Sequence, residues 1–250
     1  MQLARSLFFF FVSTVWTICI AVLMSPTLVS RRAVTWVSHL WARVVMWLLK
    51  SICGLGSKII GHENVLNVPA IYAFKHQSAW ETVILPLLVP RLISVLKREL
   101  LYVPFYGWYV ARLGMVPIDR SRGASALKHM LRESKNRLAD GFSIMIAPEG
   151  TRTSPGQPVK YLPGVAAMYE QCAVPVVPIA VNSGLFWPRR SWLKHPGKVS
   201  IEFLPAIAPG MPRREFMVLL QERLEAASAR LLEQGKIEYF GGRTRSELRG

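Results

Sequence analysis

The amino-acid sequence predicts an α/β domain, a mixed and largely buried sheet flanked by helices, behind an N-terminal membrane-associated helical segment. Three observations carry this prediction. Residues 6–30 hold no charged side chain. From Gly61 onward, short apolar runs alternate with longer stretches of helical period. Those runs are apolar almost without interruption, the pattern of strands covered on both faces rather than one.

The uncharged segment contains LFFFFVSTVWTICIAVLM, eighteen apolar or weakly polar residues, which is the threshold length for a membrane helix. A cleaved signal peptide would have a shorter apolar region followed by an A-x-A site, so a retained anchor is expected. Arg31 and Arg32 close the segment against a single Arg5 before it. The positive-inside rule then sets the following domain in the cytoplasm. In AVTWVSHLWARVVMWLLKSICGL, the side chains of Thr35, His39, Arg43 and Lys50 fall within a stripe of about 80° at helical spacing. Trp36, Trp41, Val44, Trp47 and Leu48 cover much of the rest. An amphipathic helix on the bilayer is expected; the alternative is a core helix whose polar stripe faces out, with His39 as polar surface. Strands are predicted at 69–75, 92–97, 115–118, 142–147, 174–181 and 199–204, and helices at 78–88, 123–139, 163–171 and 212–233. The chain thus divides into a membrane segment at 1–55, an α/β domain at 56–235 and a loose basic tail at 236–250.

Composition narrows the partners. In 250 residues, 31 Lys and Arg oppose 15 Asp and Glu, a net charge of +16. Such an excess needs an anionic partner: nucleic acid, acidic lipid or a phosphorylated substrate. Hydrophobic residues at 51% and charged ones at only 18% lean towards a membrane, and tryptophan, of which there are eight, favours the headgroup level. The three cysteines are scattered with no CxxC, which argues against a zinc site or a disulfide framework and fits a reducing compartment.

Four apolar strands each end in polar or charged residues. After PAIYAF comes KHQSAWE, residues 75–81. Ser78 and Glu81 match the capping box S-x-x-E, which explains both without explaining His76. His76 and Glu81 are five apart, an odd step on a strand and roughly 140° apart on a helix. They meet only if His76 ends the strand and Glu81 lies in the first turn of the next helix; catalysis and plain capping both remain open. VLKREL sets Lys97 and Arg98 at a second strand end, and IDRSR sets Asp119, Arg120 and Arg122 at a third. Guanidinium forks suit phosphate, although a solvated charge cluster is the plainer reading. APEGTR runs a strand into Pro148 and a turn at Gly150 flanked by Glu149 and Arg152, where glycine permits a tight turn and a surface ion pair is the alternative. In open α/β sheets, sites gather outside strand ends, so the four together describe a pocket with a base and several cations.

HQSAWE, KREL…VPFYGW…GMVPIDR, PEGTR and VPVVPIAV occur in that order. They resemble the four blocks of the glycerolipid acyltransferase family, in particular its 1-acyl-sn-glycerol-3-phosphate acyltransferases, over about residues 65–182. The first block of that family is usually H-x4-D; here the acid is Glu81, one methylene longer, and Ala147 replaces the phenylalanine of the third block.

The resemblance implies an α/β fold and transfer of an acyl chain from acyl-CoA or acyl-carrier-protein to the sn-2 hydroxyl of lysophosphatidic acid, giving phosphatidic acid. No cofactor or metal is implied beyond the acyl donor. An alcohol is a weak nucleophile at neutral pH and needs a positioned base. His76 would take its proton, and Glu81 would fix the imidazole tautomer. Backbone amides near Gln77 and Ser78 would stabilise the oxyanion. By resemblance, Lys97, Arg120 and Arg152 hold the acceptor phosphate, Glu149 binds the glycerol backbone and Gly150 shapes its turn. The partners are then membrane lipids and the two substrates, without nucleic acid. The rivals are the same chemistry on another lyso-lipid, and a non-catalytic basic protein of membrane surfaces or nucleic acid, which accounts for the charge but not for ordered motifs at strand ends.

Overall fold

A computed structural model describes residues 1–157 and 159–241, without the side chain of Arg120. Among the described residues, seven strands form one sheet: β1 (Leu55–Ile60), β2 (Ile71–Phe74), β3 (Leu92–Lys97), β4 (Val116–Ile118), β5 (Ser143–Ile146), β6 (Val176–Val181) and β7 (Gly197–Phe203). Helices α1 (Gln2–Leu23) and α2 (Arg31–Cys53) precede it. Helices α3 (Trp80–Leu88), α4 (Tyr106–Leu113), α5 (Gly123–Ala139), α6 (Gly164–Cys172) and α7 (Ser183–Phe186) connect its strands, and α8 (Arg213–Phe240) follows.

The spatial order is β1-β7-β6-β2-β5-β3-β4. β6, β2, β5, β3 and β4 run parallel, β7 is antiparallel to β6, and β1 is parallel to β7. The sheet is mixed and covered on both faces, as the unbroken apolar runs predict. Alternation along β2 divides its residues between two cores. Tyr72 and Phe74 join Leu48, Leu49, Trp80 and Leu85 beneath α2 and α3. Ile71 and Ala73 join Met130, Val165, Phe216 and Leu220 beneath α5, α6 and α8.

Register sets the level of the strand ends. Ala73 lies opposite Ile146 of β5 and Pro178 of β6. The third residue past Ala73 is His76, and the third past Ile146 is Glu149. Two motifs far apart in sequence therefore emerge side by side at the C-terminal edge of the central strands.

The N-terminal segment is packed more closely than expected. Ala42, Val45, Leu48 and Leu49 of α2 are buried against the sheet with Tyr72 and Phe74, while Val34 and Val37 are buried with Ile20 of α1 and Tyr109 of α4. The exposed stripe of α2 is Arg32, Trp36, Arg43, Trp47 and Lys50, while Thr35 and His39 are half-buried. Helix α1 is one helix long and apolar enough to cross a membrane, yet it docks along α2 by one face. The Trp41 indole donates to the Thr17 hydroxyl at 2.9 Å, and the Ser6 hydroxyl accepts from the amide of Lys194 at 3.0 Å. The opposite face exposes Leu3, Leu7, Phe8, Phe10, Phe11, Val15, Ile18, Val22 and Leu23.

Two further differences have local causes. β1, LGSKII, escaped prediction because Gly56, Ser57 and Lys58 interrupt its apolar pattern; as an edge strand it is exposed through its middle. The tail expected from residue 236 is helical as far as Phe240, where Tyr239 and Phe240 pack against Phe186 with ring centroids 5.3 and 5.7 Å away. The rest of that tail, 242–250, lies outside the described residues.

Candidate active site

The corner after β2 settles the geometry of KHQSAWE. The chain leaves the strand at Phe74 and α3 begins at Trp80, so His76 ends the strand and Glu81 sits in the first helical turn. The Glu81 side chain is fully buried, and its Oε2 lies 3.8 Å from His76 Nδ1, just beyond hydrogen-bond distance. Its Oε1 accepts the amide of Gln77 at 3.1 Å, and both oxygens accept the amide of Ser78 at 3.1 Å. The Ser183 hydroxyl, from the turn after β6, also donates to Oε1. Ser78 Oγ accepts the amide of Trp80 at 3.2 Å. Glu81 therefore caps the helix start and faces the imidazole, two roles that its pair of oxygens can hold together.

One expectation fails here. The Gln77 and Ser78 amides point at the Glu81 carboxylate, so they are not open to an oxyanion. Gln77 itself is buried, and its Oε1 accepts the amide of Gly184 at 3.0 Å. Gly184 allows this approach because a Cβ there would lie 2.6 Å from Pro155 Cγ.

His76 is held from behind as well. Its amide donates to Glu149 Oε2 at 3.0 Å, and its carbonyl accepts the amide of Thr153 at 2.8 Å. Glu149 is buried with both oxygens engaged: Oε1 lies 2.6 Å from Lys75 Nζ and accepts the Thr153 hydroxyl at 3.0 Å. Lys75 Nζ also reaches Glu225 Oε1 of α8 at 2.8 Å, and the Tyr161 hydroxyl donates to that same oxygen at 2.8 Å. Burial first, then the charge of Glu225, pushes the Tyr161 phenol well above its ordinary range. Glu149 thus stands behind the His76 main chain and presents no free oxygen to a glycerol backbone, which corrects the role implied for it. Gly150 does shape the turn: its φ is +67°, and a Cβ there would lie 2.3 Å from Leu162 Cδ1.

The His76 ring is 18% exposed although Nδ1 is buried without a hydrogen-bond partner. The opposite side of the ring, with Nε2, is the one left towards solvent. Phe74 packs edge-on against the ring at 5.3 Å between centroids.

The predicted cations lie further along the same edge. Lys97 and Arg98 are exposed at the end of β3, two strands from β2 and hence roughly 10 Å across the sheet. Asp119, after β4, pairs with Arg122 at 3.1 Å and Arg98 at 3.6 Å. The Ser121 hydroxyl, joined by its amide and by both arginines, outweighs desolvation and holds the Asp119 carboxyl below its ordinary value. Arg152 is exposed past the Gly150 turn, and its carbonyl accepts from Arg189 at 2.9 Å. The structure brings His76, Glu81 and Glu149 together; Lys97 and Arg152 flank them in solvent. The Arg120 side chain lies outside what is described.

Sequence reasoning did not single out Lys75, Thr153, Tyr161, Ser183 or Glu225. The rule of polar residues at strand ends would have reached Ser183, in VNSG after VPVVPIAV. Glu225 gave no signal, since only the fold brings α8 to this edge.

Comparison with known proteins places this edge in a family context. A family model described as Acyltransferase matches residues 56–182. A Pseudomonas aeruginosa protein named 1-acyl-sn-glycerol-3-phosphate acyltransferase is 37% identical over 203 residues, covering 81% of this chain and 79% of its own. A Saccharomyces cerevisiae protein of the same name is 31% identical over 145 residues, 57% of this chain and only 48% of its own length. The crystal structure of the Thermotoga maritima 1-acyl-sn-glycerophosphate acyltransferase PlsC matches with a TM-score of 0.72 over 92% of this chain and 95% of that one. At 22% identity this last likeness concerns the fold.

Proposed function

We propose that this chain, which belongs to the acyltransferase family, moves an acyl group from a thioester donor to the sn-2 hydroxyl of 1-acyl-sn-glycerol-3-phosphate, giving phosphatidic acid. The observation that carries this reading is His76, set at the end of a central strand with Nδ1 towards a buried carboxylate and the Nε2 side towards solvent. The acceptor named for the relatives supports the substrate, and the cationic strand ends support a phosphate-bearing one.

His76 Nε2 takes the proton of the acceptor hydroxyl as its oxygen attacks the thioester carbon. Glu81 keeps the remaining proton on Nδ1 and stabilises the imidazolium that forms. The tetrahedral intermediate collapses, the carbon–sulfur bond breaks, and the imidazolium returns its proton to the leaving thiolate. No acyl-enzyme is needed. Lys97, Arg120 and Arg152 hold the acceptor phosphate as point and fork donors. The donor is acyl-CoA or acyl-carrier-protein. The exposed apolar face of α1 anchors the enzyme in the membrane where the acceptor resides, with the catalytic domain on the cytoplasmic side by the Arg31–Arg32 bias.

The test is acyl transfer by purified protein on a panel of lyso-acceptors, with wild type beside His76→Ala. Transfer to lysophosphatidic acid is expected to exceed that to phosphate-monoester-free acceptors, and His76→Ala to lose about 100-fold or more with an unchanged circular-dichroism melt. A His76→Ala variant keeping more than about a tenth of the rate is incompatible with general-base catalysis at this residue.

A further inference from the structure

A second cationic site lies at the opposite edge of the sheet. Phe142 and Arg91 precede β5 and β3, whereas His76 follows the parallel β2. The Phe142 ring carries two guanidiniums, Arg31 with Cζ 3.9 Å and Arg91 with Cζ 4.4 Å from the centroid. Gly114, at φ +76°, makes room beside them: a Cβ there would lie 2.6 Å from Arg31 Nη2 and 3.5 Å from Arg137 Cζ. Arg112 completes the group by donating to the carbonyl of Val29.

Among the described residues the charges do not balance. Arg31 donates to the Leu113 carbonyl at 2.5 Å and Arg91 to the Asp140 carbonyl at 2.7 Å. Arg137 faces the Asp140 carboxylate at 3.5 Å. Four guanidiniums thus meet one carboxylate. Desolvation, then Arg137, and then Arg91 and Arg112 lower the Arg31 pKa against the pull of Asp140. Each guanidinium has five N–H donors and uses only one or two here. Arg137 Nε is buried with no hydrogen-bond partner among the described residues. An array of forked donors in like-charged surroundings is the chemistry that takes a phosphate oxygen cluster.

The neighbours identify the form of that phosphate. Helix α1 runs for roughly 33 Å from the β6–β7 connection, where Gln2 donates to the Lys194 carbonyl, to this cluster, where Tyr109 donates to the Ala21 carbonyl. Its apolar face ends in Leu23, 70% exposed, and Val29 beside it is 81% exposed. Cations at the end of an apolar strip match a headgroup with its acyl chains alongside. We propose that Arg31, Arg91, Arg112 and Arg137 form a second phosphate site, for the headgroup of an anionic phospholipid bound as a structural ligand, separate from the acceptor at His76. It stands whatever acceptor His76 serves.

The experiment compares the full chain with Arg91→Gln/Arg137→Gln and with a charge-matched control, Lys128→Gln/Lys135→Gln, on the side of α5 turned away from Arg137. Partition is measured into vesicles of phosphatidylcholine alone and of phosphatidylcholine with a quarter phosphatidylglycerol. Thermal melts are measured with inorganic phosphate at fixed ionic strength. The arginine variant should lose about 25-fold of the preference for anionic vesicles, and the control should keep most of it. Inorganic phosphate raising the melting temperature of wild type and control, but not of the arginine variant, with no change in vesicle preference, would assign the same site to free phosphate. Equal behaviour of the arginine variant and the control in both assays overturns the proposal. Retained acyl transfer on detergent-dispersed acceptor certifies the fold. If the double variant fails that check, Arg137→Lys, which keeps the charge and loses the fork, should lose the phosphate response; a full response would overturn the site.

Discussion

Replacing Glu81 by glutamine separates the cap from the chemistry. In the wild type, Glu81 is buried, Oε1 accepts from Gln77, Ser78 and Ser183, and Oε2 accepts from Ser78 while facing His76 Nδ1 at 3.8 Å. A glutamine that keeps its oxygen at the Oε1 position preserves most of the cap. Its NH₂ then takes the place of Oε2 and meets the Ser78 amide donor to donor, which costs about 1–3 kcal/mol of stability. The same NH₂ donates to Nδ1 and forces the proton onto Nε2, where the base is required. In a Ser–His–Asp triad, that wrong tautomer costs about 10⁴-fold, and a loss of that order is expected here. Aspartate keeps the charge but retracts the carboxylate by roughly 1.5 Å. It can hold the amides or approach the ring, not both, so a loss of roughly 10- to 100-fold is expected. Initial rates of thioester-dependent transfer, with urea melts alongside, should rank wild type above aspartate and aspartate well above glutamine. A glutamine variant as active as wild type would reduce Glu81 to a helix cap and end the dyad.

Two other substitutions probe the supports. Ser183→Ala removes a hydrogen bond to a charged group, about 1.5–3 kcal/mol, so kcat should fall 10- to 100-fold with both KM values unchanged; in a Glu81→Gln background the same change should add almost nothing, and an additive loss would detach Ser183 from Glu81. Lys75→Met strands the buried Glu149 and should lower unfolding stability by about 3–5 kcal/mol; adding Glu149→Gln should recover part of it in urea melts, and no recovery would mean that the Lys75–Glu149 pair is not the source of the loss.

Much of this was legible because strand and helix signals were local. The apolar runs at β2, β3, β5 and β6 are long and uninterrupted, and α5 begins and ends where its period and glycine predict. The edge strand β1 was not legible, since LGSKII owes its conformation to pairing with β7 rather than to its own pattern. Helix α2 carries tryptophans on both its buried and exposed sides, with Trp41 half-buried and Trp36 exposed, so composition alone could not assign its faces. At the site, the question posed by His76 and Glu81 was readable from spacing, but its answer was not: it needed the register that sets β2, β5 and β6 level. Ser183, Thr153 and Glu225 reach the corner from three separate stretches of chain, and no local rule joins them to His76.

The two buried carboxylates around His76 are not equivalent, and their difference assigns their work. Glu149 has its own cation, Lys75 at 2.6 Å, and touches His76 only through the main-chain amide. Its charge is met whether or not the imidazole is protonated. Glu81 receives two backbone amides and one hydroxyl, all neutral donors. Among the described residues, the one group beside it that can turn cationic is His76. A buried charge satisfied only by neutral donors gains most when a cation appears at its side, so in the proposed mechanism Glu81, not Glu149, is the carboxylate that would face an imidazolium at His76. The longer acid in place of the usual aspartate is compatible with this because the carboxylate is clamped by Gln77, Ser78 and Ser183 and does not depend on its own stem for position. Glu149 holds the His76 main chain; Glu81 faces its ring.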